Sequence, residues 1–227
     1  MIDIHSHILP AVDDGSKNTE QSLTMLKEAQ RQGITDIILT PHYRARYLTD
    51  RQGIERMFTK FKKAIKDAGV NVSLYLGQEI YVFEDLLKVL NEGKLITMNG
   101  GKYVLVEFPT KQETDIPETV YELKTNGYIP IVAHIDRYVY ADKEIAREIK
   151  EVGGLIQINA TTLCGSLFRR HRAFEFIKEG LVDFIASDVH YKRRNDMLKA
   201  YRIVSRKFGR ETAEKLFTEN AKIIINK

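Results

Sequence analysis

At 227 residues, 43% hydrophobic and 29% charged, the chain has the composition of a soluble globular protein with room for one large domain. A net charge of +4, from 35 Lys+Arg against 31 Asp+Glu and without an arginine-rich run, argues against a nucleic-acid binder. No apolar run approaches the ~20 residues of a membrane span, no signal peptide is visible, and the one cysteine, Cys164, makes no internal disulfide, so a cytoplasmic protein is expected. Self-association into a homo-oligomer is left open.

The chain opens on a strand, Met1-Ile2-Asp3-Ile4-His5-Ser6-His7. His5 and His7 are two apart, so in a strand both imidazoles project to one side and can hold one cation. A loop follows, Leu9 to Gly15, with Asp13-Asp14-Gly15 at its end. A helix is predicted over about 19–32, with Leu23, Leu26 and Ala29 on one face, and a strand over 34–40 that ends at Pro41-His42. The rhythm repeats: helix 51–68, strand 70–76 ending at Gly77-Gln78-Glu79, helix 83–91, strand 103–106 ending at Glu107-Phe108-Pro109. Next come helix 117–126, strand 129–133 ending at His134, helix 143–152, strand 155–158 and helix 166–179. Strand 182–186 ends at Ser187-Asp188-Val189-His190, and the tail from about 194 is helical.

Strands alternating with helices predict parallel βαβ units, and about seven of them approach a (β/α) barrel in one domain, 1–227. In such barrels the chemistry sits at the C-terminal ends of the strands. His5, His7, His42, Glu79, Glu107, His134, Asp188 and His190 all fall there. A lone Glu or His after a strand is usually a surface residue; the convergence of six strand ends is the signal. Five imidazoles and three carboxylates exceed the three protein ligands of a single catalytic zinc, so the set suits two or three cations. Mixed nitrogen and oxygen donors without thiolate fit zinc, manganese or iron. Clustered cations suit phosphoryl transfer. Arg137, three residues past His134, and Lys192-Arg193-Arg194 after His190 supply cations for a phosphate.

The order H-x-H, P-H, Q-E-I, E-F-P, H-x-x-R-Y and S-D-x-H resembles the polymerase-and-histidinol-phosphatase (PHP) superfamily. More closely, Met1 to Pro10 followed by Asp13-Asp14-Gly15 looks like the metal-dependent protein-tyrosine phosphatases of bacterial capsule and exopolysaccharide operons. The resemblance covers nearly the whole chain. It implies an α/β fold of distorted (β/α)7 TIM-like barrel type with three metals, usually described as manganese (Mn2+). Carried over by motif, His5, His7, Glu79 and Asp188 would hold the first metal. Glu79, Glu107 and His134 would hold the second, with Glu79 bridging. His42, His190 and Asp14 would hold the third. The substrate would be phosphotyrosines clustered in the tail of a partner tyrosine kinase. Arg137 and Arg194 would grip phosphate, with Arg193 as the alternative, because the segment after His190 departs from the family pattern. The family's H-P-E-R also stands here as His134-Ile135-Asp136-Arg137.

Two other readings compete. Cys164 to Arg170 satisfies C-x5-R, the pattern of cysteine-based tyrosine phosphatases, but carries one glycine and no preceding His. Within the metal reading, a small alkyl phosphate such as histidinol phosphate, or a non-catalytic phosphotyrosine-binding role, would use the same ligands.

Overall fold

A computed structural model describes residues 1–44, 47 and 50–226. The strands are β1 (Ile2–Ser6), β2 (Asp36–Leu39), β3 (His42–Tyr43), β4 (Ser73–Leu76), β5 (Glu79–Tyr81), β6 (Tyr103–Glu107), β7 (Ile129–Val132), β8 (Leu155–Asn159) and β9 (Phe184–Ala186). The helices are α1 (Thr19–Arg31), α2 (Arg51–Asp67), α3 (Leu86–Asn91), α4 (Ile116–Thr125), α5 (Lys143–Glu151), α6 (Ala160–Cys164), α7 (Leu167–Lys178), α8 (Met197–Phe208), α9 (Arg210–Glu214) and α10 (Asn220–Ile225). Four helices start on a side-chain cap: Asn18, Asp50, Asp115 and Asp142 each accept a backbone N–H of the first turn. Among the described residues no helix is long and apolar enough to cross a membrane.

All pairings are parallel, in the orders β1-β2-β4 and β3-β5-β6-β7-β8-β9. β2 and β3 are one barrel strand broken at Thr40-Pro41, and β4 and β5 are another broken at Gly77-Gln78. The ring therefore has seven positions, as expected of a distorted (β/α)7 barrel. It closes where β1 meets the end of β9. There Asp188 N–H donates to His5 O at 2.9 Å, His7 N–H donates to Val189 O at 3.0 Å, and buried Asp3 accepts Ser187 N–H at 3.0 Å.

The two breaks have different causes. Pro41 has no N–H to continue a ladder. At Gly77 a Cβ would stand 2.6 Å from Met98 Sδ, so only glycine lets the strand pass. Beyond both breaks the pairing resumes with His42 opposite Glu79. The two-part strands are what the sequence reading of single strands 34–40 and 70–76 did not anticipate. It also missed α6, which precedes α7, and the π-helical turn over Lys215–Glu219 that joins α9 to α10.

Apolar packing forms two clusters. One, with Ile4, Ile38, Leu105, Ile131 and Phe184, joins strands that are not neighbours, which is possible only through the barrel interior; Ala221 and Ile224 of α10 belong to it. The larger cluster packs the outer strand faces against the helices. Both leave the C-terminal strand ends to polar groups.

Candidate metal centre

His5 and His7 leave β1 buried, with their Nε2 atoms 3.3 Å apart. Glu79, at the start of β5, stands between them: Oε1 is 3.3 Å from His5 Nε2 and Oε2 is 3.2 Å from His7 Nε2. Asp188 Oδ1 lies 3.7 Å from His5 Nε2 and 3.4 Å from His7 Nε2. On the other side of Glu79, His134 Nε2 is 2.8 Å from Oε1 and 3.7 Å from Glu107 Oε1. His42 Nδ1 is 2.7 Å from Glu79 Oε2 and 3.8 Å from Glu107 Oε2. Asp14 Oδ1 lies 3.5 Å from His42 Nε2 and 3.3 Å from His190 Nε2. All nine expected ligand residues thus meet in one place. The donor atoms of seven of them fall into overlapping groups: His5, His7 and Glu79; His42, Glu79 and Glu107; and His7, Asp14, His42 and His190. Four memberships differ from the carried-over sets: His42 joins Glu79 and Glu107, His7 joins the Asp14 group, and Asp188 and His134 stand beside the groups expected to include them without joining their tight clusters.

The electrostatics are those of a site short of positive charge. Burial opposes ionisation of Glu79 and Asp188, yet the surrounding imidazoles outweigh it and hold both carboxyls below their ordinary values. Burial also disfavours charged His5 and His7; against it, Glu79 and Asp188 raise His5, and Asp13 leads the carboxylates that raise His7. His190 goes the other way, to about 4, from burial and then repulsion by His7. The fit to divalent cations rests on more than proximity. His42 Nδ1 and Glu79 Oε2 are buried 2.7 Å apart, and neither has a hydrogen-bond partner among the described residues, a pairing that a shared cation would satisfy. The donor set is imidazole and carboxylate, with no thiolate, as hard or borderline cations require.

Backbone strain concentrates here. His134 and Asp188 have φ of 30° and 49°, a region that costs non-glycine residues energy. Gly15 serves the same centre by close approach: a Cβ there would stand 2.0 Å from His7 O. That glycine lets the 9–15 loop fold back and bring Asp13 and Asp14 in.

A second layer orients the ligands. Asp13, next to Asp14, accepts from His7 Nδ1 at 2.8 Å, from Gly15 N–H at 2.9 Å and from His42 N–H at 3.1 Å. Burial works against its charge, but His7 holds its pKa at about 2. Gln157 Oε1 lies 3.1 Å from His5 Nδ1 and accepts His134 N–H at 2.7 Å. Asn159 Nδ2 donates to Asp188 Oδ2 at 2.8 Å. Asp136 accepts Asn159 N–H at 3.0 Å, which gives the departure His134-Ile135-Asp136-Arg137 a structural use. Sequence reasoning missed Asp13, Gln157 and Asn159. A signal was present: Gln157 and Asn159 are polar at a spacing of two inside the apolar β8.

Above the ligands opens a cavity of about 970 Å³. Tyr43, Tyr81 and Phe83 line it with rings; Arg44, Arg137 and Arg193 line it with cations. Arg137 Nη1 donates to Asp188 Oδ2 at 3.2 Å, and Arg193 Nη1 is 3.2 Å from His190 Nδ1. Arg44, which the sequence did not single out, pairs with Glu107 and lies over the Tyr81 ring. Arg194 is absent from this lining; it is largely exposed and reaches Asp196 Oδ1 at 3.5 Å. The side chain facing the cavity from that segment is Arg193. Cys164 is also absent from the lining.

The family model of capsular polysaccharide synthesis, CpsB/CapC, matches residues 1–226. The chain belongs to the CpsB/CapC family. Among its CpsB/CapC relatives, the tyrosine-protein phosphatase CpsB of Streptococcus agalactiae is 37% identical, over 99% of this chain and 98% of the relative. The tyrosine-protein phosphatase YwqE of Bacillus subtilis is 33% identical over 99% of this chain and 91% of its own. A crystal structure from work on YwqE of Bacillus subtilis and CpsB of Streptococcus pneumoniae, described as metal-dependent tyrosine phosphatases, superposes with a TM-score of 0.94 at 28% identity, covering 100% of this chain and 95% of that one. Histidinol phosphate phosphatase from Lactococcus lactis, crystallised with zinc, L-histidinol and phosphate, shares the fold at a TM-score of 0.58 and 15% identity, covering 93% of both chains.

Proposed function

We propose that this CpsB/CapC protein is a metal-dependent, non-cysteine phosphatase of protein phosphotyrosine. It acts in the cytoplasm on a tyrosine kinase that controls capsule or exopolysaccharide synthesis. The observation that carries the reading is the cavity itself: an imidazole–carboxylate floor, ring-bearing walls and arginines at the side. The names of its relatives point the same way.

Three divalent cations, with manganese first and zinc or iron as substitutes, are assigned to His5, His7, Glu79 and Asp188; to Glu79, Glu107 and His134; and to His42, His190 and Asp14. When bound they supply an activated water for in-line attack and neutralise charge on the phosphoryl and leaving oxygens. The protein's own groups do the rest. Asp13 and Gln157 fix the imidazole rings through their second nitrogens. Arg137 and Arg193 bind phosphoryl oxygens and orient the group. The rings of Tyr43, Tyr81 and Phe83 pack the aryl group and keep water off it.

No imidazole or carboxylate in the centre is left over to protonate a leaving oxygen. A phenolate, from a group of pKa about 10, departs with little protonation, whereas a serine alkoxide needs a proton in the transition state. The test is kcat/KM across substituted phenyl phosphates, a phosphotyrosine peptide and histidinol phosphate. Aryl esters should be hydrolysed far faster, with rates that fall as the leaving phenol becomes more basic. A flat dependence with equal turnover of the alkyl ester would move the assignment to the small-molecule phosphatases of the PHP superfamily.

A further inference from the structure

Beside the main cavity lies a second cleft of about 460 Å³, where the start of α8 meets the end of α1. Arg193 lines both. The second cleft adds Arg194, Lys199 and Arg202, so four cations surround it. Its two carboxylates are engaged elsewhere or weakly. Glu28 is held by Arg31 at 2.8 Å and by Gln32 Nε2 at 2.8 Å, and Asp196 reaches only Arg194, at 3.5 Å. Among the described residues neither Lys199 nor Arg202 has an ion-pair partner.

Asn195 adds an unpartnered polar group to the same cleft. It lines this cleft and is 9% exposed. Its Oδ1 accepts Met197 N–H at 3.2 Å, but its buried Nδ2 donates to no group among the described residues. A buried amide donor without an acceptor is costly, and here it belongs to a residue that lines a cleft of four cations.

We infer that the cleft is a second anion subsite, which takes an anionic side chain flanking the phosphotyrosine of the same substrate chain. The inference rests on the phosphotyrosine reading of the main cavity. Because Arg193 lines both spaces, a peptide whose phosphoryl group sits in the first carries its neighbours across the second. Cations at such a rim tighten binding and select partners without touching the chemical step. The flanking anion is a phosphate monoester or a carboxylate; guanidinium groups bind both, and phosphate offers the greater charge.

The experiment uses the full chain loaded with manganese and three versions of one phosphotyrosine peptide: with glutamine flanks, with a glutamate, or with a phosphoserine, the anion being moved through each flanking position. Wild type should show a KM about tenfold lower for the best anion-flanked peptide, with kcat unchanged. Lys199→Gln/Arg202→Gln should erase that preference and leave p-nitrophenyl phosphate turnover as it was. A preference for phosphoserine alone identifies a phosphate subsite; equal preference for glutamate identifies a general anion subsite. A non-hydrolysable phosphonate peptide, followed by fluorescence anisotropy, reads the same preference as Kd without turnover. Wild type that ignores flanking charge, or a preference that survives the double substitution, overturns the inference. A protein that fails to hydrolyse p-nitrophenyl phosphate yet keeps the anisotropy preference would overturn the phosphatase reading and retain the subsite.

Discussion

The strand-end cluster and the loop at Cys164 both carry a sequence pattern of phosphatase chemistry, and the fold treats their charges in opposite ways. At the cluster, Glu79 and Asp188 are buried and still held below ordinary carboxyl values, because imidazoles surround them. At the loop, burial pushes the Cys164 thiol up to about 11, and Asp196 adds to it. A nucleophilic cysteine needs the reverse: a thiolate at a helix N-terminus or beside cations. Cys164 instead ends α6, with Sγ 3.9 Å from Asp196 O, and the arginine of its C-x5-R pattern, Arg170, lies over the Phe174 ring. A motif is a statement about spacing; which ionic form it holds depends on neighbours that the spacing does not name.

That contrast can be broken most severely by removing metal. Chelation should abolish turnover of an aryl phosphate, and manganese should restore it. Chelator-resistant activity in the wild type would reverse the comparison. Next in size is Glu79→Gln, which removes the charge assigned to two cations. Metal content measured by mass spectrometry should fall at more than one site, and a variant with its full metal complement would show that Glu79 does not bridge.

Substrate-side changes sharpen the picture. Arg137→Ala and Arg193→Ala should each retain metal yet lose about 10²-fold or more in kcat, the scale for losing one donor to developing charge. Arg194→Ala should leave p-nitrophenyl phosphate hydrolysis close to wild type, since its side chain is outside the main cavity; the reverse pattern would assign the grip to Arg194. A smaller effect is expected from Asp13→Asn, about 10- to 100-fold in metal affinity, because Asp13 holds a ligand and not the ion. Titration with manganese, followed by activity, measures it. Smallest of all, Cys164→Ser should leave kcat/KM and its metal dependence nearly unchanged.

Much of this centre was legible in the sequence because parallel barrels put strand C-termini on one rim. His5, His7, His42, Glu79, Glu107, His134, Asp188 and His190 could be gathered from their positions after apolar runs alone. Local periodicity also served the helices, as at α1, where Leu26 and Ala29 of the expected face are buried. What escaped was set by contacts distant in sequence. Gln157 reaches His5 across 152 residues, and the break at Gly77 depends on Met98 packed against it. The choice between Arg193 and Arg194 was likewise undecidable from spacing, because Lys192 takes a positive φ of 68° just before them and redirects the chain.

The sequence by itself determined the alternation of strands and helices and the inventory of imidazoles and carboxylates at the strand ends, since periodicity and residue type are local properties of a chain. Tertiary structure alone decided which nitrogen faces which oxygen, which arginine lines the cavity, and in which direction burial and neighbours push groups such as Glu79, Asp188 and Cys164. Those depend on distances of a few ångströms and on burial in a medium of low dielectric, where a neighbour's charge outweighs a residue's own chemistry.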